Sequence, residues 1–191
     1  MARRPRIHCP GALHHVIRRG NRKQRIFLDD KDLERFLTYF SECKRRFSFR
    51  LCAFALMKNH VHLLIESGEI PLSRMMQSLL FRYARYFNMR HGEAGHLFQG
   101  RYKAILCDKD VYLLELVHSI HLNPVRAEIV KAPEDYVWSG HLCYLGKGKE
   151  DLIDEGFVLV NSVTTDSWQG EGIANLWGSR FRVGIRIDIT R

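Results

Sequence analysis

The hydrophobic and polar positions of this chain change period several times, and each change marks an element. "ALHHVIRRGN" (12–21) alternates apolar and polar side chains before Gly20-Asn21, which predicts a strand ending in a turn. "DDKDLERFLTYFSECKRRF" (29–47) switches to helical spacing through Leu33, Phe36, Leu37, Phe40 and Cys43. Asp29 or Asp30 is its expected N-cap, and Lys44, Arg45 and Arg46 place cations at the negative end of the helix dipole. "FRLCAFALM" (49–57) and "HVHLLIES" (60–67) read as two strands joined at Lys58-Asn59 in a hairpin. "PLSRMMQSLLFRYARYFNMRHG" (71–92) is a helix with an apolar stripe through Met75, Met76, Leu79, Leu80 and Tyr83, stopped by Gly92. "HLFQGRYKAILCD" (96–108) predicts a fourth strand with Gly100 as a bulge. "KDVYLLELVHSIHL" (109–122) is a further helix, closed by Asn123-Pro124 because proline disfavours helix for its predecessor.

The order β-α-β-β-α-β predicts an α+β fold of the ferredoxin-like, split βαβ kind. Its antiparallel sheet carries helices on one face, and an extra helix follows. Residues 1–150 form the expected domain, and 151–191, where periodicity fades, are read as a loosely attached tail.

Composition narrows the partners. The 191 residues carry a net charge of +9, and residues 1–25 hold eight Lys/Arg and no acid. A second basic stretch runs from Arg82 to Lys103, interleaved with Tyr83, Tyr86, Phe87, Phe98 and Tyr102. Clustered cations with aromatics among them are the footprint of a nucleic-acid binder; the plainer alternative is a solvated surface with core aromatics. The residues expected to face DNA are Arg18, Arg19, Arg22, Lys23, Arg82, Arg85, Gln99, Arg101, Lys103 and Arg126. Gln99, Arg101 and Lys103 alternate, so on one strand they point one way. Lys58 is read as an exposed turn residue, and Arg126 as a partner of either a carboxylate or a phosphate. Five scattered cysteines without a C-x-x-C argue against a disulfide framework and for reduced thiols in a cytoplasm. No apolar run is long enough for a membrane span, and no apolar stretch follows the basic N-terminus as in a secretory signal.

The chemistry centres on "KNHVHLLI" (58–65). Alternate residues of a strand share a face at about 6.6–7 Å, so His60 and His62 can reach one ion. Two neutral imidazoles leave a divalent cation open for a third ligand and a substrate oxygen. "HSIHLNPVRA" (118–127) offers His118, His121 and Asn123; an Asn oxygen suits Mg²⁺ or Mn²⁺. His14, His15, His96 and His141 are read as surface or core histidines.

"LMKNHVHLLI", "LSRMMQSLLFRYARYFN", "GHLFQGRYKAILCD", "YLLELVHSIHLNPVRAEIV" and "PEDYVWSG" together resemble the successive blocks of the HUH single-tyrosine transposases, in their REP-associated tyrosine transposase branch. The resemblance spans about residues 10–146. It implies metal-dependent cleavage and strand transfer of single-stranded or hairpin DNA through a 5′-phosphotyrosine, by a monomer or a homodimer. It assigns His60, His62 and Asn123 to an Mg²⁺ or Mn²⁺ ion, with the nucleophile four residues before Asn123 on the extra helix.

At that position stands Ser119. Serine lacks the phenol ring and so starts short of the phosphate, and its hydroxyl is less acidic than tyrosine's. The expectation is retained metal and DNA binding with cleavage lost or crippled. Tyr112, seven residues earlier and two turns along the same helix face, is the nearest substitute; Tyr102 and Tyr136 have weaker claims. Two other readings compete: a non-catalytic DNA-binding protein, and an RNA-binding ferredoxin-like module that stacks bases on sheet aromatics.

Overall fold

Four strands pair in the order β2-β3-β1-β4, every neighbour antiparallel. They are β1 (Leu13–Arg19), β2 (Arg50–Met57), β3 (His60–Glu66) and β4 (Lys103–Cys107). With α1 (Asp30–Phe47) after β1 and α2 (Leu72–His91) after β3, the connectivity is the split βαβ of an α+β fold. The computed structural model describes residues 8–148 and 152–163.

The helix ends follow local chemistry. The Asp29 carboxylate accepts the Asp32 N–H at the start of α1, and Gly92 takes the left-handed conformation (φ 65°) that closes α2. The two helices meet through aromatics, with Phe36 edge-on to Tyr83 at 5.1 Å.

Cross-strand register sorts every side chain to one face. Val16 lies opposite Leu63 and Arg18 opposite Val61, so these share a face; Ile17 opposite His62 and Arg19 opposite His60 share the other. The Arg18 guanidinium sits 4.6 Å over the Phe98 ring, and Phe98 packs against Tyr83 of α2. The first face is therefore covered by α1 and α2. The extra helix, α3 (Lys109–His121), covers the other, because Lys109 Nζ reaches Glu66 Oε1 (3.5 Å) on the histidine face. Helices α1 and α2 share one face as expected, and α3 lies on the second, beside Tyr144 and Phe157 of the chain that follows it. Burial of β2 and β3 from both sides explains why "LCAFALM" is apolar without alternation.

Two boundaries differ from expectation. The strand expected over 96–108 begins only at Lys103. Phe98 and Gln99 still touch the end of β1, through a Gly20–Phe98 bridge and Gln99 N–H to Arg19 C=O. The Arg18 side chain, however, donates to the carbonyls of Gln99 (3.0 Å) and Gly100 (2.8 Å), and Gly100 turns left-handed, taking the chain off the ladder. At the other boundary α3 does stop at Leu122, but Pro124 then starts a new turn, α4 (Asn123–Arg126).

The outer edge of β2 is covered by the chain leading into α5 (His141–Tyr144): Leu56 N–H donates to Trp138 C=O, and Gly140 N–H to Phe54 C=O. Part of the expected tail belongs to this core. Ile153 and Val158, the latter on α6 (Glu155–Val163), are buried, and the Asp154 carboxylate accepts from Leu51 N–H (2.7 Å) and from Lys44 (2.8 Å). The remainder of the expected tail, 151 and 164–191, lies outside the described residues.

Ile153→Ala should lower unfolding stability by about 3 kcal/mol in urea titrations, the size of a buried Ile truncation. A segment merely tethered to the domain would give no change.

Candidate functional site: the histidine face of the sheet

His60 and His62 stand side by side on the second face, ring centroids 4.9 Å apart and nearly perpendicular. Each has one ring nitrogen already engaged. The Asn59 carboxamide is oriented by its Nδ2, which donates to Lys23 C=O (3.3 Å), so its Oδ1 meets His60 Nδ1 at 2.6 Å. A carboxamide oxygen only accepts, hence His60 carries its proton on Nδ1 and its lone pair on Nε2. His62 Nδ1 lies 3.0 Å from Nε2 of His15, a buried contact between two central strands. In both ligand candidates Nδ1 is occupied and Nε2 is left.

Both rings are held neutral. Burial, followed by the charge of Arg19, pushes His60 down to about 4. Burial, followed by His60, His15 and Arg19, holds His62 well below the usual histidine range. Burial and Lys103 push His15 down to about 4. Arg19 and Lys103 thus flank the histidines with positive charge. The loop carrying Arg22 and Lys23 is tied to the Lys58-Asn59 turn through Gly20 N–H to Asn59 C=O and Ile26 N–H to Lys58 C=O. Arg22 and Lys23 are exposed there and widen the basic rim.

Helix α3 runs from the Glu66 end of the sheet towards the histidines. Its last residue, His121, lies beside Gly140, which is bonded to Phe54 of β2, one residue from the Ala55–His62 pair. Just beyond, Asn123 Nδ2 donates to the carbonyls of Ser119 and Ile120 (both 3.2 Å), leaving Oδ1 without a hydrogen-bond partner among the described residues. Asn123 makes no hydrogen bond to either histidine. The Ser119 hydroxyl accepts from Arg126 (3.0 Å). His121 is fully buried against His141 and Tyr144, which removes it as a ligand candidate; His118 is partly buried on the same turn. Tyr112 is half-exposed on α3, whereas Tyr102 is buried and Tyr136 spends its hydroxyl on Leu56 C=O.

Among the described residues no three His, Cys, Asp or Glu side chains are grouped to hold a metal ion. The donor set nonetheless fits a hard divalent ion. His60 offers an Nε2 lone pair, His62 offers a second when its proton is on Nδ1, and the third position is left to a carboxamide or a non-protein oxygen.

The basic residues separate into groups that the linear sequence had merged. Arg19 and Lys103 face the histidines, and Arg126 holds Ser119. Arg18 does not face solvent: it is 6% exposed and bonded to the 99–100 carbonyls, which corrects its reading as a DNA contact. Arg82 and Arg85 lie across the molecule on the helix layer, in a groove with Tyr39, Tyr86, Met89 and Arg90; Arg82 is ion-paired with Glu42 and stacked on Tyr39. Gln99 and Arg101 are exposed in the loop before β4, so the expected alternation of 99, 101 and 103 on one strand does not form. His15 and Asn59 are the site residues that sequence reasoning missed. Asn59 was signalled by its place beside His60, but His15 becomes visible only once β1 and β3 are in register.

A family model described as IS200-like transposase matches residues 11–121. No curated protein matches the chain. Nine chains of solved structures match. One is a REP-associated tyrosine transposase bound to a REP hairpin, with TM-score 0.63 and 18% identity over 98% of this chain and 99% of that one, which shows a shared fold. Another is a transposase-like protein from Deinococcus radiodurans R1, with TM-score 0.43 and 15% identity over 70% of this chain and 97% of that one.

Histidines held neutral make stability depend on pH. Unfolding releases His15 to its ordinary value near 6.5, so the unfolded chain binds more protons and acid favours it. The stabilisation is present above pH 6.5 and is lost as pH falls towards 4, about 2 kcal/mol between pH 7 and pH 5 for His15 alone. Chemical denaturation at the two pH values checks this, and His15→Gln should flatten the dependence.

Proposed function

The chain belongs to the family of IS200-like transposases, and on that premise we propose that it binds single-stranded or hairpin DNA at the accessible end of the histidine face, where Arg19 and Lys103 are exposed beside His60. His60, His62 and Asn123 would hold an Mg²⁺ or Mn²⁺ ion there, and strand cleavage is lost or crippled because Ser119 occupies the nucleophile position. The REP-associated transposase that shares the fold was bound to a hairpin, which supports this class of partner. The observation that carries the reading is the pair of neutral imidazoles, each with Nδ1 engaged, beside Arg19 and Lys103. When bound, such an ion polarises a phosphate P–O bond.

What this chain's own groups do follows from their chemistry. Arg19 and Lys103 neutralise phosphate charge next to the histidines, and Arg22, Lys23 and Arg101 extend that attraction along a strand. Arg126 offers a guanidinium next to Ser119. The serine hydroxyl, short and already accepting from Arg126, has neither the reach nor the acidity of a phenol. Arg82 and Arg85, on the opposite side of the molecule, are left out of this contact surface.

The RNA-module alternative is disfavoured by the same face. The strand residues that share it, including His15, Ile17, Arg19, Ala53, Ala55, Met57, Lys103 and Ile105, include no Phe, Tyr or Trp on which bases could stack.

Incubation with a labelled hairpin-bearing single strand and Mn²⁺ should give no denaturant-resistant adduct from this chain, and an adduct from Ser119→Tyr. An adduct from the unaltered chain that disappears on Tyr112→Phe would instead make Tyr112 the nucleophile and overturn the loss of cleavage. In the same binding assay, Arg19→Ala or Lys103→Ala should each weaken DNA binding and reduce the slope of log K against log salt by about 1.

A further inference from the structure

We infer that His15 is a positioning residue: its Nε2 receives the Nδ1–H of His62 and so aims the His62 Nε2 lone pair at the metal position. The inference rests on the reading of His60 and His62 as ligands. Nε2 of His15 and Nδ1 of His62 are 3.0 Å apart, with ring centroids at 5.3 Å and planes tilted by 31°. Both side chains are buried, at 7% and 5% exposure, and both strands are central in the sheet, so neither ring can swing away.

Two neutral imidazoles can share one proton in only two ways. If His15 donated, His62 would keep its own proton on Nε2, where it blocks coordination. If His62 donates, Nε2 is bare, and a cation there polarises the Nδ1–H and tightens the bond to His15. Register explains why His15 and no neighbour can do this. Ile17 is the direct partner of His62, and His15 is the next residue of β1 on the same face, placing its imidazole diagonally against that of His62. Asn59 acts on His60 in the same way from the turn. Each ligand candidate therefore has an uncharged orienting partner.

Three variants of the full chain test this: His15→Phe keeps ring volume without nitrogen, His15→Gln restores an acceptor oxygen, and His62→Ala removes the ligand. Mn²⁺ binding would be followed by paramagnetic resonance, with and without a hairpin oligonucleotide. Ring protonation would be read on the wild-type protein by long-range ¹H–¹⁵N correlation, and oligonucleotide binding in EDTA serves as the measure of an intact fold. The expected result is His62 as the Nδ1–H tautomer, with Mn²⁺ affinity down about 10- to 100-fold in His15→Phe and largely recovered in His15→Gln, at unchanged binding in EDTA. Wild-type Mn²⁺ affinity in His15→Phe, alongside its loss in His62→Ala, would overturn the role of His15 and leave the ligand assignment standing. Equal losses in His15→Phe and His15→Gln, or a proton found on His62 Nε2, would also overturn it. A wild-type chain that binds no Mn²⁺ under either condition would sink the ligand assignment and the role of His15 together.

Discussion

The pairing of β1 with β3 is the constraint on which the rest depends. With Ile17 opposite His62 and Arg19 opposite His60, one face receives the histidines and their cationic neighbour, while Val16 and Leu63 close the helix-covered core on the other. A slip of one residue would send His15 and Arg19 into the core and bring His14 and Arg18 to the histidines. Contacts at both ends prevent it. Gly20 N–H bonds Asn59 C=O at one end, and Gly11 N–H bonds Ser67 C=O, with Ser67 N–H to Ala12 C=O, at the other. Gly20 admits no substitute, since a Cβ there would lie 2.2 Å from the Gln24 carbonyl oxygen.

That register also sets the charge of the proposed site. The donors named for the ion are all neutral, their orienting partners His15 and Asn59 are neutral, and Arg19 and Lys103 are positive. A divalent ion entering such a place alone meets repulsion, and a phosphate entering alone finds attraction but no Lewis acid. On the proposed reading, each would relieve the other's deficit when bound together, so metal and DNA affinity would be thermodynamically linked, each strengthening the other by the same factor. A carboxylate ligand would have weakened that linkage by letting the metal bind without DNA.

The period changes along the chain disclosed the elements well, because α1 and α2 bury one clean stripe and are closed by Asp29 and Gly92, whose roles are local. Failures came where a tertiary contact overrode local pattern. Arg18 and Lys103 both look like polar strand residues; that one is buried and the other flanks the histidines follows from parity relative to a partner strand. The fourth strand was drawn too long because nothing in "FQGRYK" signals that the side chain of Arg18, about eighty residues earlier, takes up the carbonyls at 99–100. His60 and His62 were legible because their relation is i to i+2. His15 was not, because its relation to His62 spans 47 positions. Charge clustering also merged two sides of the sheet: Arg82 and Arg85 are near β4 in sequence, yet they project from the helix layer.

Which residues the fold itself would retain bears on how the candidate site should be read. Asn123 bridges back to two carbonyls at the end of α3, so it closes that helix whether or not an ion is present. His62 is buried and bonded to His15, and removing it would orphan a buried partner. These groups are integral to the structure, and their presence alone does not separate a cleaving protein from a binding one. Position 119 is different: its side chain is partly exposed, and its one hydrogen bond is to Arg126, itself exposed to solvent. A phenol there would contribute to chemistry and little to folding, so it is the part of the site that can be lost without disturbing the sheet, the histidines or the basic rim. If Ser119 stands at the nucleophile position, as proposed, the change falls where a protein could give up cleavage while keeping its sheet, its histidines and its basic rim.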